Sequence, residues 1–376
     1  MKTSLILDRL QKKILFVNHA ISARSQLPTL LNFLIEAKEG GVTISATDLE
    51  IGIIVSVPAK TERKGSLMVP AKTFVELIGT ISSGKINLET TPEGLMLTGD
   101  REKAVFQTTP TDEFPKLYED RGKSIMVLKK ETLEKDFSRI VFAASPDSER
   151  PALSGVLIKE SNEGFLLVAT DGYRLSLKKN ALQSAKKEKG EGEVSMLVPA
   201  RVIRELIQME KDEESEDVKV FASKEENQII FSQSDTMLIG RLIEAEFPNY
   251  EKIIPTDFST KAVFERDSLQ KAIKAGYVFA RQTAGIIKLA IQKNKISVSA
   301  NAPSVGKNQI EVDAKTTGEE NEIAFNARYL LDFLANSISE TISFEMTGPL
   351  NPGVFRETDD SSFMHLIMPI RVQEAA

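Results

Sequence analysis

The sequence predicts an α+β protein built from three repeats of one domain. Three observations carry that reading. A helical periodicity returns twice in each third of the chain, alternating strand-like segments flank every helix, and short signatures recur at nearly constant offsets. The chain has 376 residues, more than one ordinary core uses, and about 150 residues per domain gives two or three domains.

Each third opens with a strand-like segment that runs into a helix: "SLILDRLQKKILFVNHAI" (4–21), "IMVLKKETLEKDFSRIVFAAS" (125–145) and "KAVFERDSLQKAIKAGYVFA" (261–280). Leu10, Ile14, Val17 and Ile21 share one helical face. So do Leu133, Phe137, Ile140, Val141 and Ala144, and so do Leu269, Ile273 and Tyr277. Alternating strands follow in "GVTISATDLEIGIIVSV", "GFLLVATDGYRLSLK" and "NKISVSANAPSVGKNQIEV".

A second helix then recurs behind a short entry strand: "LMVPAKTFVELIGTIS" (67–82), "MLVPARVIRELIQME" (196–210) and "IAFNARYLLDFLANSI" (323–338). Phe74, Leu77, Ile78 and Ile81 form the apolar face of the first, and Leu330, Phe333 and Leu334 that of the third. Hairpin-like strands with Gly, Asn or Pro at their turns close each third. Pro70 and Pro199 lie 129 residues apart, Thr47 and Thr170 123, and Phe114 and Phe247 133. These offsets place domains at 1–123, 124–255 and 256–376, each with two helices and antiparallel sheet.

Composition narrows the function. Hydrophobic residues make up 41% of the chain, enough for real cores, and no segment is apolar enough to span a membrane. The N-terminal "MKTSLILDRLQKK" meets Asp8 and Arg9 too early for a signal peptide. Without cysteine there are no disulfides and no thiolate metal sites. A soluble cytoplasmic protein is expected. The net charge of -6 argues against a simple coating of nucleic acid. The acid clumps in "EKDEESED" (210–217) and "TDD" (358–360). Catalysis finds little support: the two histidines, His19 and His365, lack metal-ligand spacing, and neither a P-loop nor G-x-G-x-x-G is present. The aspartates of "ATDL" (46–49) and "ATDG" (169–172) fall at equivalent strand-turn positions of the repeat.

Four further stretches, "ATDGYRL" (169–175), "FPNYEKIIP" (247–255), "FNARYLLD" (325–332) and "MPIRV" (368–372), stand in order on this repeat. With them the chain resembles the β subunit of bacterial DNA polymerase III, the sliding-clamp family, from residue 1 to about residue 372. The resemblance implies two half-repeats per domain and a head-to-tail homodimer. Its six domains form a ring whose twelve helices line a hole for duplex DNA, with the sheets outside. It implies no catalytic residue, no cofactor and no metal. The implied partners are encircled duplex DNA, the polymerase III α subunit, the clamp loader, and other polymerases and repair factors carrying a short Gln and Leu/Phe motif.

That motif would bind a cleft between domains 2 and 3. Position by position, the resemblance gives Leu153, Thr170, Gly172, Tyr173, Arg174, Leu175, Pro248, Lys252 and Ile253 from domain 2. Domain 3 adds Asn326, Tyr329, Leu350, Pro352, Leu366, Ile367, Met368, Pro369, Ile370 and Arg371. Arg174, Asn326 and Arg371 would bind peptide carbonyls or a carboxylate. Asp171 reads as a structural turn residue.

A ring that slides needs only moderate positive charge inside, because each neutralised phosphate adds affinity and a salt slope of about -0.9. Lys12, Lys13, Lys72, Lys135, Arg139, Arg201, Arg204, Lys271, Lys274 and Arg328 fall on the predicted helices. Of these Lys12, Lys13, Lys72 and Arg201, with the loop residues Arg24 and Arg150 that the resemblance adds, are the expected DNA contacts. Phe106, Tyr277 and Val278 match the family's dimer interface. The chain departs from the family pattern at Pro151 and Ala152, which are not aromatic or basic, at Tyr173, where histidine is common, and in the tail "QEAA".

Overall fold

The computed structural model describes residues 1–22, 25–82, 84–117, 124–147, 149–161, 164–181, 195–209, 217–223 and 227–371. Among them are six helices: α1 (Leu7–Asn18), α2 (Ala71–Thr80), α3 (Lys130–Val141), α4 (Ala200–Gln208), α5 (Arg266–Ala280) and α6 (Ala327–Asn336). Each begins on the residue after a strand ends, where the apolar period changes from 2 to 3.6. Pro70 and Pro199 end the strands before α2 and α4. Asn326 ends the strand before α6, and its side chain accepts from the Arg328 N–H at 2.9 Å, satisfying one orphan donor of the helix start.

The apolar faces read from the spacing are buried. Leu10, Ile14 and Val17 of α1, Leu133, Phe137 and Ile140 of α3, and Leu330, Phe333 and Leu334 of α6 are all 1% exposed or less. Burying each such side chain contributes about 1.5–3 kcal/mol. Ile21 and Ile81 fall beyond the ends of α1 and α2, so the helices are shorter than the periodicity suggested.

The chain forms two compact units, Met1–Thr132 with Ser184–Glu191 and Arg201–Leu242, and Leu133–Gln183 with Gly192–Ala200 and Ile243–Ala376. Each contains one twelve-stranded antiparallel sheet. The division passes through the stretch predicted as domain 2. Strand Thr236–Arg241 pairs with Ile51–Arg63 and joins the first sheet. Strand Arg174–Ala181 pairs with Asp360–Ile367 and joins the second.

Two features of the sheets matter below. Strand Lys103–Phe106 pairs only with Gly94–Thr98 and forms an edge. Gly94, at φ +131, is fixed by that pairing, because a Cβ there would stand 2.1 Å from the Phe106 carbonyl oxygen. In the second sheet, Gly306–Gly318 pairs with Lys295–Ala302 along residues 306–313 and with Thr260–Glu265 only from 314 onward. One side of 306–313 therefore carries no strand among the described residues.

One helix cation departs from its expected place on a wet face. Arg139 is 1% exposed. Its guanidinium donates to Glu357 at 2.8 Å, Asp360 at 2.9 Å and Asp136 at 3.3 Å. Lys178 also donates to Asp360, at 2.7 Å. Burial by itself would raise the Asp360 carboxyl, but the Lys178 and Ser362 hydrogen bonds, the Lys178 charge and the Arg139 bond hold it far below the usual carboxylate range. Helical spacing could not distinguish this arginine from a solvated one, because Glu357 and Asp360 lie more than 200 residues away, and Asp136 alone, one turn back, is what a solvated helix face would also show.

Candidate functional site

The loop "ATDGYRL" is built by its own side chains. Thr170 Oγ1 donates to the Arg174 carbonyl at 2.6 Å and accepts from the Gly172 N–H at 3.0 Å. Asp171 Oδ1 accepts from the N–H groups of Tyr173 and Arg174 at 2.8 and 3.0 Å. Asp171 is thus the turn residue the sequence suggested, a carboxylate folding its own backbone. Gly172 takes φ +90, and a Cβ there would meet only Leu153 Cδ1, at 3.9 Å. The loop leaves Tyr173 57% exposed.

Strand Asp360–Ile367 lies antiparallel beside this loop, with Leu366 opposite Leu175 and Ile367 opposite Arg174. The pairing continues past the strand end, where the Met368 N–H donates to the Tyr173 carbonyl at 2.8 Å. Ile370 N–H donates to the Ala324 carbonyl at 2.8 Å. Leu175, Leu366 and Ile367 are fully buried. They are the floor, not the wall. Met368 packs against the buried cluster of Val168, Leu175, Leu177, Val354, Met364 and Leu366, as do Phe247, Tyr250 and Ile254.

The remaining residues expected at the peptide site divide by accessibility. Gly172, Tyr173, Pro248, Lys252, Ile253, Leu350 and Arg371 are exposed. Leu153, Asn326, Tyr329, Pro352, Met368, Pro369 and Ile370 are half-buried. Thr170 is buried and committed to the loop. Asn326 uses its oxygen to cap α6, so its amide nitrogen is what it can offer a ligand.

Arg174 departs from its expected role. Its side chain is 9% exposed and donates to Asp171 at 3.0 Å, Asp332 at 2.7 Å and the Phe142 carbonyl at 2.9 Å. The guanidinium also lies over the Tyr329 ring, 4.6 Å from its centre. It is a strut that fixes the loop and α6, not a donor waiting for peptide.

The expected DNA contacts are equally mixed. Lys12 and Lys72 are exposed. Arg150 is exposed, with Asp147 at 3.9 Å. Lys13 is engaged with Asp235 at 2.6 Å and Thr236 at 3.1 Å. Arg201 is held by Asp48 at 2.5 Å and Glu50 at 3.2 Å, and donates to the His19 carbonyl. Arg24 and the "QEAA" tail lie outside the described residues.

At the expected dimer surface, Phe106 is 6% exposed and packs edge-on against Phe74, with ring centres 5.3 Å apart. It belongs to its own core. The strand alternation exposes Val105 instead, at 41%. Tyr277 is half-buried, and Val278 and Val305 are 52% and 53% exposed. Val105 and Val305 were missed because single exposed valines carry no sequence signal.

No group of His, Asp and Glu suited to a metal ion occurs among the described residues. His365 is fully buried, stacked on Phe333 and bonded to Ser176 at 2.7 Å. Burial, reinforced by the Arg174 charge, pushes its pKa well below the ordinary histidine value. It is a neutral core residue.

Three family models cover nearly the whole chain. They describe the N-terminal, central and C-terminal domains of the DNA polymerase III beta subunit, matching residues 1–118, 127–249 and 251–371. The chain belongs to the DNA polymerase III beta subunit family. Members of this sliding-clamp family are processivity factors and not catalytic enzymes. A beta sliding clamp of Synechocystis is 29% identical over 377 residues, covering 95% of each chain. One of Streptococcus pneumoniae is 28% identical over 364 residues, covering 94% of each. Among solved structures, the sliding clamp of Bacillus subtilis superposes with a TM-score of 0.92 at 25% identity, over 99% of this chain and 100% of that one. The beta subunit of Streptococcus pyogenes gives 0.91 at 27% identity, with the same coverage. No helix among the described residues is long and apolar enough to cross a membrane.

Proposed function

We propose that this clamp closes head to tail into a ring dimer around duplex DNA, and tethers polymerase, clamp loader and repair factors through the cleft beside Tyr173 and Met368. One observation carries the ring. Twice in the chain the last strand of one repeat pairs with the long strand of the repeat before it: Thr236–Arg241 with Ile51–Arg63, and Asp360–Ile367 with Arg174–Ala181. In both places the pairing is antiparallel. The first repeat's last strand, Lys103–Phe106, and the third repeat's long strand, at 306–313, are left open. The two open edges are what a second copy needs to repeat the same pairing, and a heterologous contact that closes makes a ring. Val105 stands on one edge, and Val278 and Val305 beside the other, each exposed.

The domains at 1–123, 124–255 and 256–376 are the units of that ring in this reading, and the cytoplasm is its location. In this reading Lys12, Lys72 and Arg150, with Arg24 outside the described residues, are the DNA contacts, while the charges of Lys13 and Arg201 are largely balanced by Asp235, Asp48 and Glu50. The cleft is supported by its make-up, an apolar floor with exposed Tyr173, Leu350 and Ile253 and a flexible Met368 above it. Light scattering at micromolar concentration is expected to give a dimer, and Val278→Asp combined with Tyr277→Asp a monomer. On nicked circular DNA the loaded clamp is retained and then released when the circle is cut. Retention on linear DNA, or a monomeric wild-type protein, refutes the ring.

A further inference from the structure

A cavity of about 280 Å³ lies in the first unit, beside the loop "ATDLEIG". This loop repeats the "ATDGYRL" loop bond for bond. Thr47 Oγ1 donates to the Ile51 carbonyl at 2.7 Å and accepts from the Leu49 N–H at 3.0 Å. Asp48 Oδ1 accepts from the N–H groups of Glu50 and Ile51 at 3.1 and 3.0 Å. The Arg241 N–H donates to the Glu50 carbonyl at 3.0 Å, as Met368 does to Tyr173. Pro115 of the first "FP" segment lines this cavity, where Pro248 of the second stands at the cleft.

Two features mark the cavity as more than a packing remnant. Leu49 occupies the position of Gly172 and keeps φ +78 despite its Cβ, a conformation that costs a non-glycine residue about 1–2 kcal/mol. Strain of this kind collects at binding sites. The strained side chain is also 52% exposed, so core packing does not compensate for it. The wall also joins apolar Ile51, Leu117 and Ile239 to exposed Arg241, with Lys116 beside it and Glu50 already paired with Arg201 at 3.2 Å.

We infer that this cavity is a second peptide-docking site, which takes a short extended segment carrying an aliphatic anchor next to a carboxylate. The anchor packs on Leu49, Ile51 and Ile239. Arg241 pairs with the carboxylate. Arg241 stands where the other cleft has Met368, so the two sites select different peptides. The volume holds one or two side chains.

The probe is N-acetyl-Leu-Asp amide, with N-acetyl-Leu-Asn amide as the uncharged control, titrated into full-length methyl-labelled protein. The methyl resonances of Leu49, Ile51 and Ile239 are expected to shift, with the Asp probe binding at least about fivefold more tightly than the Asn probe. Arg241→Gln abolishes that difference, while Met368→Ala leaves it intact. Unmoved methyls at about 10 mM probe, shifts confined to Leu153 and Met368, or equal binding of both probes overturn the inference. Shifts confined to Leu153 and Met368 leave the cleft of the second unit standing.

Discussion

The loops "ATDLEIG" and "ATDGYRL" have the same backbone bonds, and the strand pairs beside them keep one register: Ile53 opposite Leu238 in the first unit, Ser176 opposite His365 in the second. Their side chains differ at each functional position. Leu49 stands for Gly172, Glu50 for Tyr173, Ile51 for Arg174 and Arg241 for Met368. In the first unit the loop aspartate, itself 11% exposed, pairs with Arg201, 39% exposed on α4. In the second, Asp171 is tied to Arg174, 9% exposed and bonded again to α6 through Asp332. One backbone frame therefore serves two electrostatic designs. The frame follows from Thr-Asp spacing, and the design follows from what each loop's neighbours supply.

The two arginines give the sharpest test of that contrast. Arg174→Met leaves Asp171 Oδ2, Asp332 and the Phe142 carbonyl without the guanidinium donor, and is expected to lower unfolding free energy by about 3–5 kcal/mol, the usual cost of breaking a buried pair. Arg201→Met removes a half-exposed pair and is expected to cost no more than about 1 kcal/mol. Urea unfolding of the two variants compares them directly, and equal losses would erase the distinction.

Exchanging the positive-φ residues comes next. At Gly172→Leu the Cβ meets only Leu153 Cδ1, at 3.9 Å, so the expected cost is mainly backbone strain, about 1–2 kcal/mol. Leu49→Gly relieves strain but loosens the unfolded chain, and is expected to change stability by less than about 1 kcal/mol. Thermal melts read both, and peptide titration should show Gly172→Leu blocking the cleft of the second unit.

The strand pairs differ in pH response. His365 is neutral in its folded site, and its pKa there lies well below the unfolded value of about 6.5. The unfolded chain takes up a proton first, so its contribution is whole above about pH 6.5 and is lost as pH falls below it. The apolar Ile53–Leu238 pair has no such response. Melting between pH 7.5 and 5.5, about one unit either side of that value, should fall more steeply for the wild type than for a Ser176→Ile, His365→Leu double variant. Identical slopes would show that His365 does not carry the effect. The smallest effect is expected from Tyr173→His, less than about threefold in affinity for a Gln and Leu-Phe peptide by calorimetry, since an imidazole keeps an aromatic wall at an exposed position.

The sequence alone determined the three-fold repeat, the six helices with their buried faces, and the family, because periodicity and turn chemistry are local and survive in a single chain. It also placed Asp171 as a turn former, since an Asp two residues before the N–H it accepts is a local arrangement. What it left open were properties set by partners far along the chain. Arg139, Arg174 and Phe106 read as wet-face, peptide and interface residues, and only the tertiary structure assigned them to buried networks. Their acids and rings come from other strands and helices: Glu357 and Asp360 for Arg139, Asp332 for Arg174, Phe74 for Phe106. The open edges at Lys103–Phe106 and 306–313 were likewise invisible, because an unpaired strand has the same residues as a paired one. A charge or a strand edge is defined by what lies within a few ångströms of it, and the chain's own order does not record that distance.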